Sequence, residues 1–294
     1  MNAASIAFAL NGRKSGRGWS ARCPAHDDRD PSLSISISPK GKTLVHCHAG
    51  CSQDQVIDAL INRGLWNNGG VSQGGFWRRI VRNDFFEYEA KRKALALDIW
   101  NSAAPASGTL VERYLAGRAI TLPMPDRLRF REALAHAPSG VMLPAMVALV
   151  TGIDDKPIGL HRTFLNGDGT GKAVVDPPRM MLGTCRGGAV RFAAPGDVLM
   201  IGEGIETCLA AMMATGHPAW AALSVSGLRA LDLPNQMRNV IVLADGDTAG
   251  EAAAQNSASR WNREGRRVRI ARPPQGLDFN DVLVGAFCDR KDVA

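Results

Sequence analysis

The stretch Val198-Leu199-Met200-Ile201-Gly202-Glu203-Gly204-Ile205-Glu206-Thr207 decides the fold of the C-terminal part of the chain. Its apolar run, Val198 to Ile201, reads as a short buried strand, Gly202 and Gly204 break it, and from Glu206 to Thr215 the spacing becomes helical. Glu203 thus stands at the carboxyl end of a strand, presented between glycines. The design recurs downstream, where the apolar run Val240 to Ala244 ends in Asp245-Gly246-Asp247-Thr248-Ala249-Gly250 and a helical run follows from Ala249 to Glu264. With further strands predicted at Ala219 to Leu223 and Val268 to Ala271, short strands alternate with helices, the pattern of an α/β unit with a largely parallel sheet.

Open sheets of this kind bind ligands outside the carboxyl ends of their strands. That rule brings Glu203, Asp245 and Asp247 to one rim, joined by the acidic Asp278-Phe279-Asn280-Asp281 after the last strand. Crowded carboxylates repel one another, and Mg²⁺ or Mn²⁺ resolves the repulsion because hard cations take oxygen ligands. Ions there would orient triphosphate oxygens, activate a 3′-hydroxyl and stabilise leaving pyrophosphate, which is phosphoryl transfer. Asp-Gly-Asp alone equally describes a hairpin or a helix-capping turn. The argument for metal is that each acidic element follows its own strand.

Near the N-terminus, Cys23-Pro24-Ala25-His26 is followed by a strand-like Ser32 to Ser38, a turn at Pro39-Lys40-Gly41-Lys42, and Val45-His46-Cys47-His48-Ala49-Gly50-Cys51. Two short-spaced pairs flanking a hairpin supply the four N and S ligands of a tetrahedral Zn²⁺. The predicted ligands are Cys23, His26, Cys47 and Cys51, with His46 and His48 as rivals for one position. A site with all positions filled has no place for water and is structural. So small a unit has little core of its own, which favours a metal staple.

The chain has 294 residues, enough for more than one domain, and its 45% hydrophobic and 21% charged composition is that of a globular protein. No apolar run reaches membrane-spanning length, and the start, MNAASIAFALNGRKSG, lacks the charged lead and cleavage site of a secretory signal, so a cytoplasmic protein is expected. A net charge of +7 favours a polyanionic partner, although a solvated basic surface accounts for it equally well. Of six cysteines, Cys185, Cys208 and Cys288 are scattered and read as incidental thiols.

Four segments are predicted: a zinc ribbon over 1–66, a flexible Gly-rich linker over 67–83, a mixed α+β basic subdomain over 84–195, and the α/β domain over 196–294. The middle segment should hold helices at Asp84 to Ser102 and Gly108 to Leu115, and strands at Val141 to Val150 and Ile158 to Leu165. The run 166–173 imitates a phosphate-binding loop, but Asn166 and Ala173 occupy its Gly and Ser/Thr positions, so it reads as a hairpin turn.

At Glu203-Gly204 and Asp245-Gly246-Asp247 the chain resembles the Toprim signature shared by primases, topoisomerases and some nucleases. Its zinc motif resembles that of bacterial and phage primases, and the order of the two motifs is similar to a DNA primase of phage or plasmid type. The resemblance implies that Glu203 ligates metal or moves a proton, that Asp245 and Asp247 bind metal, and that Asp281 is an auxiliary metal residue. It also implies that Arg162, Lys172 and His161, in the segment similar to the family's basic subdomain, meet nucleoside triphosphate or template. Glu206 matches the variant Glu-Gly-Ile-Glu-Thr of phage and plasmid members; its other reading is a carboxylate at a helix start.

The expected activity is primer synthesis on single-stranded DNA, a DNA-directed RNA polymerase reaction, with a separate helicase as partner because no phosphate-binding loop follows Asp281. A metal-dependent Toprim nuclease and a catalytically inactive zinc-ribbon nucleic-acid-binding protein remain alternatives. A topoisomerase is disfavoured because its nucleophilic tyrosine would have to be Tyr88 or Tyr114, both ahead of the Toprim motifs.

Overall fold

The computed structural model describes residues 3–16, 18–28, 30–38, 41–66 and 76–291, with 76–86 and 286–291 described as helical backbone alone. The chain forms two compact units, Met1–Val81 and Arg82–Ala294.

The first unit comprises α1 (Ala3–Ala9), an antiparallel sheet of β1 (Arg13–Ser15), β2 (Gly18–Ala21), β3 (Leu33–Ile37) and β4 (Thr43–Cys47) in that spatial order, and α2 (Gln53–Asn62). Alternation in β3 sends Leu33 and Ile35 inward against Ile6, Val45, Val56 and Leu60. α2 opens with a capping box in which the Ser52 hydroxyl accepts from Gln55 N–H and the Gln55 side chain accepts from Ser52 N–H.

α3 (Phe76–Asn101) starts inside the stretch expected to be linker. Phe76, Trp77, Ile80 and Val81 recur at helical spacing, a signal hidden by the glycines before them. The remaining linker residues, 67–75, lie outside the described residues. The second unit then runs through β5 (Ala104–Pro105), α4 (Leu110–Ala116), β6 (Leu128–His136), β7 (Val141–Thr151), β8 (Pro157–Phe164) and β9 (Arg179–Gly183). These strands form an antiparallel sheet in sequence order. Ala145, Val147, Leu149, Leu160 and Phe164 meet Ala96 and Trp100 of α3 on one face. From the other face Met146, Ala148 and Val150 enter the largest core.

The C-terminal sheet contains β10 (Val190–Arg191), β11 (Val198–Gly202), β12 (Ala219–Ala221), β13 (Asn239–Leu243) and β14 (Arg267–Ala271), in the order β10-β12-β11-β13-β14. β11 to β14 pair in parallel and β10 is an antiparallel edge. One face carries Leu199, Ile201, Trp220 and Val242 against α6 (Val225–Ala230) and α7 (Thr248–Arg263). The other carries Met200, Ala219 and Leu243 with α5 (Ile205–Thr215), and this core is the one that includes Tyr114, Leu115 and Met146. α8 (Phe279–Lys291) ends the described chain.

The mixed α+β and α/β class with a largely parallel C-terminal sheet is as the sequence implies. The expected boundary at residue 195, however, cuts through shared packing, because β10 belongs to the C-terminal sheet and the α5 core continues into α4 and β7. The run 166–173 is a hairpin turn, with Asn166 N–H donating to the Gly171 carbonyl and Leu165 bridged to Lys172. α6 and α8 were not legible: α6 is a single short turn, and the Val282-Leu283-Val284-Gly285 run of α8 mimics a strand. No helix among the described residues is long and apolar enough to cross a membrane.

Candidate functional site

The chain leaves β11 through α5 toward β12 on one side and leaves β13 through α7 toward β14 on the other. The crevice outside the carboxyl ends of β11 and β13 is therefore the switch point of the sheet, where ligands bind in open α/β folds. Glu203 follows β11 and Asp245 follows β13 at that point. Glu203 Oε1 and Asp245 Oδ1 are both buried and have no hydrogen-bond partner in the protein. Burial pushes the Glu203 carboxyl up to about 7, with the charges of Asp245 and Asp247 adding to the rise and Arg229 and Arg179 opposing it. Asp245 is raised as well, by burial first and then by Asp278 and Asp247, with Arg179 opposing. Glu203, Asp245 and Asp247 thus act on one another through charge.

Two glycines allow the rim to close. A Cβ on Gly246 would overlap the Leu277 carbonyl oxygen, so only glycine lets the Asp245–Asp247 turn lie against the loop carrying Asp278. A Cβ on Gly250 would stand 2.8 Å from Asp245 Cβ, so glycine there lets the first turn of α7 approach Asp245. Asp247 caps α7, its Oδ1 accepting from Gly250 N–H at 2.6 Å.

The last acidic element caps its own helix. Asp281 Oδ2 accepts from Asp278 N–H at 2.9 Å, and Asp278 Oδ1 accepts from Asp281 N–H at 2.8 Å, a reciprocal cap on α8. Both carboxylates thus meet backbone N–H groups, and the charge of Asp278 also acts on Asp245. A carboxylate three residues into a helix closes on the N-cap backbone by local geometry, which spacing relative to the preceding strand does not reveal.

Of the basic residues expected to meet nucleotide, Arg162 and Lys172 have partners within the protein, whereas His161 Nδ1 is buried without one. Arg162 is buried and donates from Nη2 to the Met181 carbonyl at 3.2 Å. His161 is buried on the opposite side of β8, and burial drives its imidazole down to about 4, so it is neutral at pH 7. Lys172 Nζ lies 3.3 Å from Glu206 Oε1, which also accepts from Tyr114 Oη at 2.5 Å. Burial would raise Glu206, but Lys172 and Tyr114 outweigh it and hold the carboxyl at about 2. Glu206 is therefore an internal anchor joining α5 to α4 and to the turn after β8. The anchor continues through Arg118, which lies over the Tyr114 ring: Arg118 Nη1 donates to Asn280 Oδ1 at 3.1 Å, and Asn280 Nδ2 donates to the Arg118 carbonyl at 2.7 Å. The cations that do act on the rim are Arg179, at the start of β9, and Arg229, in α6. Neither sits in a motif, so the linear sequence carried no signal for them.

In the first unit, the ligand atoms of Cys23, His26, Cys47 and Cys51 all lie within 4.8 Å of one another. Edges of a tetrahedron with 2.3 Å metal–sulfur bonds are about 3.8 Å, so three sulfurs and one imidazole nitrogen at this spacing fit Zn²⁺. Cys23 follows β2, Cys47 ends β4, and Cys51 immediately precedes the N-cap of α2. Burial pushes the Cys23 thiol up to about 12, whereas Cys47 is held below the usual thiol range because the Cys51 N–H and the Ser32 hydroxyl outweigh its burial. The rivals do not join the cluster: His46 and His48 meet edge to face at 4.7 Å, and His48 Nε2 bonds the Ser34 hydroxyl at 2.6 Å. In the second unit Cys185 is a half-buried and Cys208 a buried thiol, and the Cys288 side chain lies outside the described residues.

The second unit thus contains an α/β domain with a crowded acidic rim at its switch point, where Glu203 Oε1 and Asp245 Oδ1 are buried without a partner. More narrowly, residues 198–286 match the family model of the Toprim domain, and this part of the chain is a Toprim domain. Residues 90–192 match the model of a domain of unknown function, DUF7146. No curated protein matches the chain. Among solved structures it is similar to the zinc-binding and RNA polymerase domains of the Aquifex aeolicus primase, at 15% identity and a TM-score of 0.44, covering 98% of this chain and 81% of that one. It is also similar to a DnaG primase catalytic domain bound to single-stranded DNA, at 16% identity and a TM-score of 0.46, covering 71% and 83%. The primase fragment of the bacteriophage T7 primase-helicase is similar at 15% identity and a TM-score of 0.39, covering 65% and 72%.

Proposed function

We propose that this protein is a DNA primase that joins nucleotides on a single-stranded DNA template. The observation that carries the reading is the pair of buried, unpartnered carboxylate oxygens, Glu203 Oε1 and Asp245 Oδ1, at the switch point of a Toprim domain. Leaving such oxygens without a partner is costly unless a cation completes them. Glu203, Asp245 and Asp247 would hold Mg²⁺ or Mn²⁺, with the paired Asp278 and Asp281 supplying the auxiliary acid. When bound, a divalent ion supplies charge stabilisation for the transferring phosphoryl group. Burial and the neighbouring acids raise Glu203 in the metal-free site, and a bound cation would return it to the ionised form that ligates or accepts a proton. Arg179 and Arg229 would orient the triphosphate, while Arg162 and Lys172 hold the strands and helix behind the rim. The four-residue cluster of the first unit, read as zinc-bound, would support template recognition, as the motif order of phage and plasmid primases implies. A separate helicase would supply unwound template.

The test is de novo synthesis on single-stranded DNA with labelled nucleotides and Mg²⁺ or Mn²⁺. The parent should make short primers, and Glu203→Ala and Asp245→Ala should each abolish synthesis while melting as the parent does. Synthesis retained by both variants, or cleavage of the labelled DNA in place of extension, refutes the proposal.

A further inference from the structure

The carboxylate of Asp28 touches the four-residue cluster of the first unit on two sides. One oxygen, Oδ1, lies 3.4 Å from His26 Nε2. The other, Oδ2, accepts from Cys23 N–H at 2.5 Å, from Ser32 N–H at 3.2 Å and from the Ser32 hydroxyl at 2.6 Å. The far ring nitrogen, His26 Nδ1, faces the sulfurs, at 3.2 Å from Cys51 Sγ and 3.9 Å from Cys47 Sγ. A neutral imidazole carries one proton, so the nitrogen facing an acceptor-only carboxylate must be the one that keeps it. The nitrogen facing the sulfurs is then the one with a free lone pair.

We propose that Asp28 is the positioning residue of the metal site: it holds the Nε2–H tautomer of His26, aims Nδ1 at the metal, and fixes the Cys23 knuckle through its second oxygen. The inference rests on the zinc reading of the cluster and goes beyond the choice of ligands. It explains why the position requires a carboxylate and not an amide. An asparagine side chain in its place could keep a carbonyl oxygen toward the three Cys23 and Ser32 donors only by turning its amide group toward His26 Nε2. A donor there favours the opposite tautomer, which places a proton on the nitrogen that has to bind metal. Outer partners of this kind characteristically change metal affinity by about 10–100-fold when replaced.

The experiment uses the full chain. Zinc content of the purified parent is measured first, followed by zinc affinity from competition with a chromophoric chelator for the parent, Asp28→Asn, Asp30→Asn, His26→Cys and the double variant His26→Cys/Asp28→Asn. Long-range ¹H–¹⁵N spectra of the zinc-loaded parent report which ring nitrogen bears the proton. The expected results are one zinc per chain, a proton on Nε2, and zinc affinity roughly 10–100-fold weaker in Asp28→Asn. Asp30→Asn, which removes an exposed charge two residues away, should change affinity far less. In the His26→Cys background the Asp28→Asn loss should shrink, since no imidazole remains to orient. A parent that carries no zinc overturns the metal reading and this inference together. With zinc bound, a metallated Nε2, or equal Asp28→Asn losses in both backgrounds, overturns the role of Asp28 and leaves the ligand set standing.

Discussion

Replacing Glu206 tests how the second unit is held together. Its carboxylate is 6% exposed, accepts from Tyr114 Oη at 2.5 Å, and lies 3.3 Å from Lys172 Nζ. Glu206→Ala leaves a buried phenol hydroxyl and a largely buried ammonium without their acceptor. Removing one member of such a pair costs about 3–5 kcal/mol, because the remaining group stays desolvated and unpaired. For a domain of this size each kcal/mol lowers Tm by about 2–4 °C, so the expected drop is roughly 6–20 °C. Glu206→Met/Lys172→Met, which removes both charges and keeps volume, should recover most of the loss. The pH dependence has a definite sign. Glu206 is held at about 2, below its ordinary 4.5, so its contribution is complete above pH ~4.5 and disappears as pH falls toward 2. Thermal melts of parent and variant should therefore differ by a constant amount from pH 6 to 8 and converge below about pH 4.5. A Glu206→Ala melting point within about 2 °C of the parent, or a gap that does not narrow in acid, refutes the buried-anchor argument.

Other expectations concern the rim and the metal cluster. Glu203 sits near 7, above its ordinary 4.5, so the folded protein holds a proton that the unfolded chain releases, and the group destabilises the metal-free fold increasingly as pH rises from about 4.5 to 7. Mn²⁺ binding near pH 7 should release protons, measurable by titration calorimetry in buffers of different ionisation enthalpy, and Glu203→Gln should reduce that release. Gly246→Ala places a Cβ on the Leu277 carbonyl oxygen, so it should cost about 1–3 kcal/mol in denaturant unfolding and weaken Mn²⁺ binding by displacing Asp278. Cys47→Ser should lower zinc content by atomic absorption and unfold the first unit, seen as faster proteolysis within residues 1–66, while the melting of the second unit is unchanged.

The strands that carry the acids were legible because each is a short apolar run ended by glycine or aspartate, and burial of the strand enforces that pattern in the chain itself. The grouping of Cys23, His26, Cys47 and Cys51 was legible for a related reason: the spacing of such residues on a knuckle is local. What was not legible depends on approach between distant segments. Asp281 and Asp278 are equivalent by composition, and only the start of α8 shows that each caps the other's backbone N–H while the charge of Asp278 reaches Asp245. Arg162 was expected to meet nucleotide or template because strand alternation does not say that both faces of β8 are covered. Arg179 and Arg229 gained a place at the rim only through folding of separate elements against the sheet.

By itself the amino-acid sequence determined the elements, the acid-bearing strand ends and the metal-ligand pairs, since these follow from hydrophobic periodicity, turn chemistry and short-range spacing. Tertiary structure alone decided which carboxylates lose their partners, which cations are buried in pairs, and that β10 and α4 join the core of the Toprim domain. Burial and charge–charge energies depend on distances between groups far apart in the chain, and no local pattern encodes those distances.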